Sequence, residues 1–189
     1  MAFDTQAINR QRQNLSDCDE IWVFGYGSLI YKVDFDYAEC KDAFIVGYER
    51  RFWQGSHDHR GTQASPGRVL TLTDSHDARC FGKAFKVKHD VFEHLDHREK
   101  NGYLRYQVTL YFSNRKTVQG LVYIANPDNA AFLGDASIQA IAKHIYNSSG
   151  PSGRNRDYVY QLAEALRQHK EADEHVFLIE HALKEMEID

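Results

Sequence analysis

The sequence predicts an α+β fold, because segments typical of strands come first along the chain and helical patterns follow them. Residues 21–24 and 106–112 are rich in β-branched and aromatic side chains, and they end at turn-forming residues. After residue 137 the apolar residues recur instead at spacings of three and four, as expected of amphipathic helices. Strands that precede helices, and do not alternate with them, favour α+β over a parallel α/β sheet.

About six segments predict strands, which is enough for a sheet that curls or closes on itself. They are residues 21–24, 43–48 with an extension to 53, 68–72, 80–87, 106–112 and 118–125. Three amphipathic helices are predicted near residues 138–145, 158–166 and 176–186. Their apolar stripes are interpreted as packing faces.

Composition predicts one globular domain in residues 21–189, preceded by a polar lead-in over residues 1–20. The chain has 189 residues, of which 42% are hydrophobic, so it can bury a sizeable core. A net charge of −4 argues against a nucleic-acid binder and against adhesion to an anionic membrane. We expect a cytoplasmic protein, since no apolar run approaches the roughly 20 residues of a spanning helix and the N-terminus lacks a secretory signal.

Cysteine usage agrees with that location. Cys18, Cys40 and Cys80 are odd in number and widely spaced, and they form no Cys-x-x-Cys pair. We therefore expect three reduced thiols and neither a disulfide framework nor a zinc ribbon.

One predicted helix, in the middle of the chain, breaks its own hydrophobic pattern. Asp90 is a candidate N-cap, with Glu93 three residues on as in a capping box. Phe92 and Leu95 form the apolar stripe, and Glu99 occupies the next position on the same face. A carboxylate that continues a buried face is a local conflict of the kind expected at a functional site.

Two interpretations of Glu99 stay open on the pattern alone. If the carboxyl is buried, its charged form is disfavoured, its pKa rises, and it can exchange protons near neutral pH. Alternatively it is an exposed or arginine-paired carboxylate at a helix end. Arg98 and Lys100 adjoin it in the sequence, but on a helix they would point elsewhere.

A glycine-containing loop follows the first predicted strand, with the sequence VFGYGSLI over residues 23–30. Glycines there allow a sharp turn and expose successive N–H groups, which favours a small anion such as a carboxylate. The spacing fails the dinucleotide fingerprint, the P-loop and the nucleophile elbow, since Ser28 is followed by leucine and isoleucine. An ordinary strand-ending turn is the alternative.

Arginines beside aromatic residues at 50–55, with Arg68 in a Pro-Gly-Arg turn, suggest a clamp for a carboxylate. A strand–loop–strand connection with surface arginines explains the same residues and is favoured. The histidine pairs have the chemistry of metal ligands, but they match no known ligand signature, so we expect no metal site; these residues are His57, His59, His94 and His97.

In combination, several motifs resemble those of the ChaC-type γ-glutamylcyclotransferases. The resemblance extends from about residue 21 to the C-terminal helices. Its motifs are VFGYGSLI at 23–30, GYERRFWQGS at 47–56, DHRG at 58–61, PGRV at 66–69, YIA at 123–125, PDN at 127–129 and GPSG at 150–153. Residues 61–66 depart from the Gly/Pro-rich pattern frequent in this loop of the family, which affects its shape and not the chemistry.

The resemblance implies a small, closed or nearly closed β-barrel surrounded by helices, and cleavage of glutathione to 5-oxoproline and cysteinylglycine without a cofactor or metal. The family's Arg-Glu motif followed by Gly-Tyr falls on residues 98–103 and selects Glu99 as the catalytic residue. The implied substrate-binding residues are Val23, Phe24, Gly25, Tyr26, Gly27, Ser28 and Leu29, with Arg51, Arg68 and Tyr103 as further candidates.

Three alternatives remain beside this interpretation. The same chemistry could serve other γ-glutamyl amino acids or γ-glutamylamines. A non-catalytic regulator that binds a small anion or a partner protein would use Glu99 structurally. A thiol-based redox protein is weaker, because no cysteine lies in an activating motif. The expected partner is a small-molecule substrate, with neither nucleic acid nor membrane, and the chain is expected to be a monomer or homodimer.

Overall fold

The computed structural model describes residues 4–188, which divide into two compact units. Within that range, the first unit comprises residues 4–49 and 72–130. The second comprises residues 50–71 and 131–188. No helix in the described part of the chain is long and apolar enough to cross a membrane.

Five strands form a closed barrel in the order β1-β3-β2-β4-β5. They are β1 Ile21–Gly25, β2 Glu39–Ser56, β3 Gly67–Val87, β4 Tyr103–Phe112 and β5 Thr117–Ala125. Closure comes from a parallel pairing of β1 with β5, whereas β1 with β3, β2 with β4 and β4 with β5 pair antiparallel. The expected α+β barrel is confirmed. It has five strands where about six were predicted, since residues 68–72 and 80–87 fall within the single span of β3. Two further strands, β6 Ser149–Gly150 and β7 Gly153–Arg154, form a separate two-stranded sheet.

The helices are α1 Gln6–Arg12, α2 Val91–Arg98, α3 Ile138–Tyr146, α4 Asn155–Gln168 and α5 Glu174–Glu185. The three predicted C-terminal helices are confirmed, and the side chains of Ser137 and Asp173 cap α3 and α5. The predicted capping box of α2 is wrong. Asp90 already has helical backbone angles of −65° and −26°, and its side chain makes no capping hydrogen bond.

The core of the first unit places α2 against the barrel. Phe92 and Leu95 are 3% and 1% exposed, and they pack in one cluster with Val23, Phe85 and Leu121 of the strands. The cluster also includes Leu29 from the segment after β1, together with Val87, Tyr103, Tyr123 and Ala125. Packing therefore brings the C-terminal end of α2 and the glycine-containing loop to the same core.

The N-terminal lead-in contains a helix that is fastened to the start of β4. The Thr5 hydroxyl and the Asn9 amide donate to the Tyr103 carbonyl at 2.7 and 3.0 Å. The backbone N–H of Arg105 donates in turn to Asn9 Oδ1 at 2.9 Å, and the Asn9 side chain is fully buried. These bonds hold the segment that immediately follows Glu99.

In the second unit, α3, α4 and α5 pack on one another through buried aliphatic residues. The beginning of α5 is tied to β2 by polar contacts. Arg50 Nη1 forms an ion pair with Asp173 Oδ2 at 2.7 Å, and the Phe52 N–H donates to His175 Nε2 at 3.0 Å. The His175 ring also stacks on Phe52. Burial, and next the charge of Arg51, lower the pKa of His175 to about 4.

This histidine makes stability depend on pH. In the unfolded chain it takes up a proton near its ordinary pKa of 6.5, whereas the folded chain keeps it neutral down to about 4. The contribution of the neutral His175 to the free energy of unfolding is therefore fully present above pH 6.5 and is lost as the pH falls through 4. The loss is at most about 3 kcal/mol. We expect His175→Gln, whose amide oxygen can still accept the bond from Phe52, to lose less stability between pH 7 and pH 4.

Urea unfolding at a series of pH values measures this effect, with His181→Gln as the control. His181 lies on the same helix, but its side chain is 73% exposed. The interpretation is wrong if His181→Gln flattens the pH profile as much as His175→Gln does.

Candidate active site

The glycine-containing loop leaves β1 at Gly25 and tightens at once into a 3₁₀ turn, Ser28–Ile30. A Cβ atom on Gly25 would lie 2.4 Å from Leu29 Cβ, so only glycine fits at this close approach. The Ile30 N–H donates to the Gly27 carbonyl at 3.0 Å, and the Lys32 N–H donates to the Ser28 carbonyl at 2.8 Å. The loop therefore ends β1 in a defined turn.

Glu99 is the first residue beyond α2. Its N–H still donates to the Leu95 carbonyl at 2.9 Å, but its backbone angles, −95° and 15°, have left the helix. Its side chain is 22% exposed. Three residues later Gly102, with a φ of 90°, turns the chain into β4. The carboxyl thus lies half-buried at the end of the helix.

Arg98 links this carboxyl to the loop. Its Nε lies 3.1 Å from Glu99 Oε1, its Nη2 donates to Ser28 Oγ at 2.8 Å, and its Nη1 pairs with Asp34 Oδ1 at 2.5 Å. The expectation that Arg98 points elsewhere is wrong, because Glu99 has non-helical backbone angles and the two neighbouring side chains converge. Of the two interpretations of Glu99, the structure has the arginine-paired carboxylate, in a half-buried setting.

Tyr123 of β5 connects the same loop to the same helix. Its carbonyl accepts a hydrogen bond from the Tyr26 hydroxyl at 2.8 Å, and its own hydroxyl donates to Asp96 Oδ1 at 2.7 Å. Arg105 Nε lies 3.5 Å from the same Asp96 oxygen. Asp96 and Arg105 are each 2% exposed, so this network lies inside the first unit.

Burial dominates the electrostatics of this network. It raises the pKa of Asp96, and the Tyr123 hydroxyl and Arg105 only partly offset that rise. The pKa of Tyr123 lies well above its ordinary value of 10.0, first through burial and then through the negative charge of Asp96. Glu99 adds a smaller contribution of the same sign, because it lies close enough for its charge to act on Tyr123.

The structure brings most of the sequence-predicted site residues together in the first unit. Val23, Phe24, Gly25, Tyr26 and Leu29 are buried, while Gly27 and Ser28 are partly exposed. Tyr103 is 9% exposed and begins β4 just after the turn that follows Glu99.

Arg51 and Arg68 belong to the second unit, and their described bonds there are to backbone carbonyls. Arg68 Nη1 donates to the carbonyls of Phe52 and Gly134, each at 2.9 Å. Arg51 Nη1 donates to the Arg50 carbonyl at 2.8 Å. The favoured strand–loop–strand connection is confirmed, since residues 50–55 lie in β2 and Arg68 lies in β3. The expectation of surface arginines is wrong, because Arg50 and Arg68 are only 3% and 7% exposed.

The histidine pairs and the cysteines show no sign of a metal centre. No group of three or more potential His, Cys, Asp or Glu ligands comes together between residues 4 and 188. His94 Nε2 instead lies 3.5 Å from Asp34 Oδ1. The expected free thiols are confirmed, with Cys18 and Cys40 exposed and Cys80 buried.

Sequence reasoning missed four residues of this site: Arg98, Asp34, Asp96 and Tyr123. A signal for Asp96 was present, since it follows Phe92 by four residues and therefore shares the buried face that singled out Glu99. No local pattern signals Asp34, whose partner Arg98 is 64 residues further along the chain.

The fold and the site define a barrel protein with a half-buried carboxylate held beside a glycine-containing loop. The chain belongs to the ChaC-like protein family, whose match covers residues 21–186. A zebrafish (Danio rerio) relative named glutathione-specific γ-glutamylcyclotransferase 1 is 44% identical, over 86% of this chain and 88% of its own. An Arabidopsis thaliana relative named γ-glutamylcyclotransferase 2-3 is 45% identical, over 82% of this chain and 84% of its own.

A solved structure is similar as well. The crystal structure of a γ-glutamylcyclotransferase specific to glutathione from yeast superposes with a TM-score of 0.81 and 32% sequence identity. The match covers 88% of this chain and 96% of the yeast chain. The likeness therefore extends over nearly the whole fold described above.

We expect Tyr123→Phe to destabilise the protein by about 1–3 kcal/mol at neutral pH, since it leaves the buried Asp96 carboxyl with one hydrogen bond fewer. The lost bond favoured the charged carboxylate, so the already raised pKa of Asp96 rises further. A carboxyl whose pKa is raised in the folded state destabilises the protein at pH values where the unfolded chain ionises it freely. The stability lost in Tyr123→Phe therefore becomes smaller as the pH falls toward 3.8, the ordinary pKa of an aspartate.

Denaturant unfolding at several pH values measures both effects. Tyr111→Phe is the matched control, because it removes a hydroxyl from a half-buried ring that keeps its stacking on Phe44. We expect that control to change stability by less than about 0.5 kcal/mol. A Tyr123→Phe deficit that does not vary with pH contradicts the assigned role of Asp96.

Proposed function

We propose that this chain is a γ-glutamylcyclotransferase that degrades glutathione. The observation that carries the proposal is the half-buried Glu99 carboxyl, which Arg98 joins to Ser28 of the glycine-containing loop. In the reaction the α-amino nitrogen of the γ-glutamyl group attacks its own γ-carbonyl carbon. A five-membered ring forms, the amide bond to cysteine breaks, and the products are 5-oxoproline and cysteinylglycine.

The reaction needs little from the protein beyond orientation. Nucleophile and electrophile belong to one molecule, so the enzyme mainly holds the substrate in a folded-back conformer. Such orientation can supply up to about 7–11 kcal/mol of the barrier. The proposal invokes neither a cofactor nor a metal ion, and no nucleophilic serine. The Ser28 hydroxyl already accepts a hydrogen bond from Arg98.

Glu99 moves one proton in two directions. The substrate's α-ammonium group must lose a proton before its nitrogen can attack, and the carboxylate accepts it. The departing amine of cysteinylglycine must gain a proton, and the protonated Glu99 returns it. After the attack the ring nitrogen still carries one proton more than the lactam does. This second proton ends on the released amine, which leaves as an ammonium group, so substrate and products hold the same number of protons and Glu99 returns to its starting state.

The loop after β1 provides the surface for the γ-glutamyl group. We assign substrate binding to residues 23–29, with Tyr103 at the start of β4. Backbone N–H groups in such a loop suit both the developing oxyanion and the substrate's α-carboxylate. Arg51 and Arg68 are secondary candidates for substrate contact, and the proposal does not depend on them.

The remaining assignments concern the whole chain. We take residues 21–189 as a single catalytic domain, preceded by the polar lead-in, and the family match over residues 21–186 supports this. The net charge of −4 supports a protein that binds neither nucleic acid nor an anionic membrane. We place it in the cytoplasm, as a monomer or homodimer.

The test is a product assay. We expect wild-type protein to convert glutathione to 5-oxoproline and cysteinylglycine, and we expect Glu99→Gln to be at least about 10²-fold slower, because an amide cannot accept and return a proton. Glu93→Gln is the matched control, since the same substitution on an exposed position of α2 should leave turnover unchanged. Thermal unfolding checks that both variants are folded.

Substrate comparison separates the alternatives. Faster turnover of γ-glutamyl-alanine than of glutathione would assign the chain to other γ-glutamyl compounds. Release of 5-oxoproline at a near-normal rate by Glu99→Gln would remove Glu99 from the mechanism. Absence of product from the wild-type protein with either substrate would favour the non-catalytic regulator.

A further inference from the structure

We propose that Arg98 is a positioning residue that Asp34 holds in place, and that it keeps Glu99 and the glycine-containing loop aligned for proton transfer. The inference rests on the proposed function and adds two residues to it. In this role Arg98 and Asp34 orient the Glu99 carboxyl and do not contact the substrate.

The geometry of the guanidinium carries the inference. Three nitrogens of Arg98 reach three groups in separate parts of the first unit: Nε reaches Glu99, Nη2 reaches Ser28 and Nη1 reaches Asp34. Ser28 and Asp34 precede Arg98 by 70 and 64 residues. A planar guanidinium presents its donors at fixed angles, so the position of one partner constrains the other two.

Asp34 bonds Arg98 but contacts neither Glu99 nor the glycine-containing loop. Burial opposes ionisation of its carboxyl, but the charge and hydrogen bond of Arg98, assisted by His94, outweigh burial and bring the pKa of Asp34 below its ordinary value. The folded protein therefore favours the charged Asp34–Arg98 pair. Since the Arg98 side chain is only 17% exposed, this pair restricts the guanidinium to one orientation.

The pairing also suits a carboxyl that must accept a proton. A guanidinium with Glu99 as its only anion would hold the charged form strongly and oppose protonation. Asp34 supplies a second negative charge to the same guanidinium, so the pull of Arg98 on Glu99 is shared. When Glu99 is protonated on Oε2, its Oε1 can still accept from Nε of Arg98, so the orientation persists through both proton transfers.

The charged and titratable groups that face this cluster come from several elements. Arg98 and Tyr123 act on Glu99 directly, and Asp96 acts through its hydrogen bond with Tyr123. Asp34 acts through Arg98, and His94 acts through Asp34. Removing the Arg98 charge takes away the cation that contacts the Glu99 carboxyl, which disfavours the ionised form of Glu99.

The test compares Arg98→Met, Arg98→Lys and Asp34→Asn in the full-length chain with glutathione as substrate. We expect Arg98→Met to lower kcat by about 10²-fold with less than about a three-fold change in KM, as for a misplaced catalytic group. The acid limb of kcat/KM should move to higher pH, because Glu99 loses the charge that favours its ionised form. Arg98→Lys keeps the positive charge but lacks the planar guanidinium and its several N–H donors. It should therefore have the pH profile of the wild type but only part of its kcat.

Asp34→Asn tests the positioning of Arg98 while the guanidinium charge that contacts Glu99 stays in place, since Asp34 is partly exposed and bonds Arg98 but neither Glu99 nor Ser28. We expect kcat to fall about 3–10-fold with the melting temperature nearly unchanged. The double variant Arg98→Met/Asp34→Asn should be no worse than Arg98→Met, because residues that act through one interaction are not additive.

Two matched controls accompany these variants. Lys100→Met removes the cation that follows Glu99 in the sequence. The Nζ atom of Lys100 lies 3.4 Å from His97 Nε2. Asp36→Asn removes an exposed carboxylate close to Asp34 in the sequence. Both controls should stay within about two-fold of wild type in kcat, because they leave the contacts of Arg98 with Glu99, Ser28 and Asp34 intact.

The outcomes separate the two proposals. If wild-type protein forms no 5-oxoproline, the proposed function fails and this inference with it. If wild type is active and folded Arg98→Met or Asp34→Asn stays within two-fold of its kcat, only the positioning role is overturned. If Arg98→Met unfolds, the test uses Asp34→Asn and the double variant Arg98→Lys/Asp34→Asn. The inference is overturned if the double variant loses as much kcat as the two single variants together, and it is supported if the double variant loses less.

Discussion

Hydrogen bonds of one buried residue, Tyr123, connect the two parts of the site, the glycine-containing loop and α2. The Tyr123 carbonyl accepts from Tyr26 in the glycine-containing loop, and the Tyr123 hydroxyl donates to Asp96 on α2. The loop and the helix that carries Glu99 therefore share one reference point on the barrel wall. Because Tyr123 is buried and part of a regular strand, that point has little freedom to move.

A second connection, through Arg98, joins the same two parts at the surface of the unit. The two connections differ in physical character. The buried one combines a neutral hydroxyl with a carboxyl of raised pKa, and the half-buried one is a charge-assisted fork of three contacts. Two points of attachment fix an angle as well as a distance between the loop and α2, and the proton transfer proposed for Glu99 requires both.

Sequence periodicity predicted much of this arrangement. The strand segments, the three C-terminal helices and the inward face of α2 all follow from side-chain spacing, because burial selects for it. The barrel came from the family resemblance, since no local pattern states which strands are neighbours. The role expected of Arg98 was wrong because helical spacing no longer applies at Glu99, where the backbone leaves the helix.

Other features lay beyond sequence reasoning. The Asp34–Arg98 pair spans 64 residues and joins two polar residues that would each be read as surface. The division of the described residues into two units, with Arg68 bonded to carbonyls of the second, likewise depends on tertiary packing. Local pattern identifies a candidate such as Glu99, whereas its partners follow from the closed barrel.

The parallel seam between β1 and β5 has a consequence for how the protein is made. Val23 pairs with Leu121, so the barrel closes only when β1, its first strand in the sequence, pairs with β5, its last. Contacts of such long sequence separation form slowly, because the entropy of closing a long loop is lost before the contact rewards it. The Tyr26–Tyr123 bond spans 97 residues across this seam, so the glycine-containing loop can form it only after β5 has been synthesised. A nascent chain that stops short of β5 has all the residues of the loop but not the wall that shapes it.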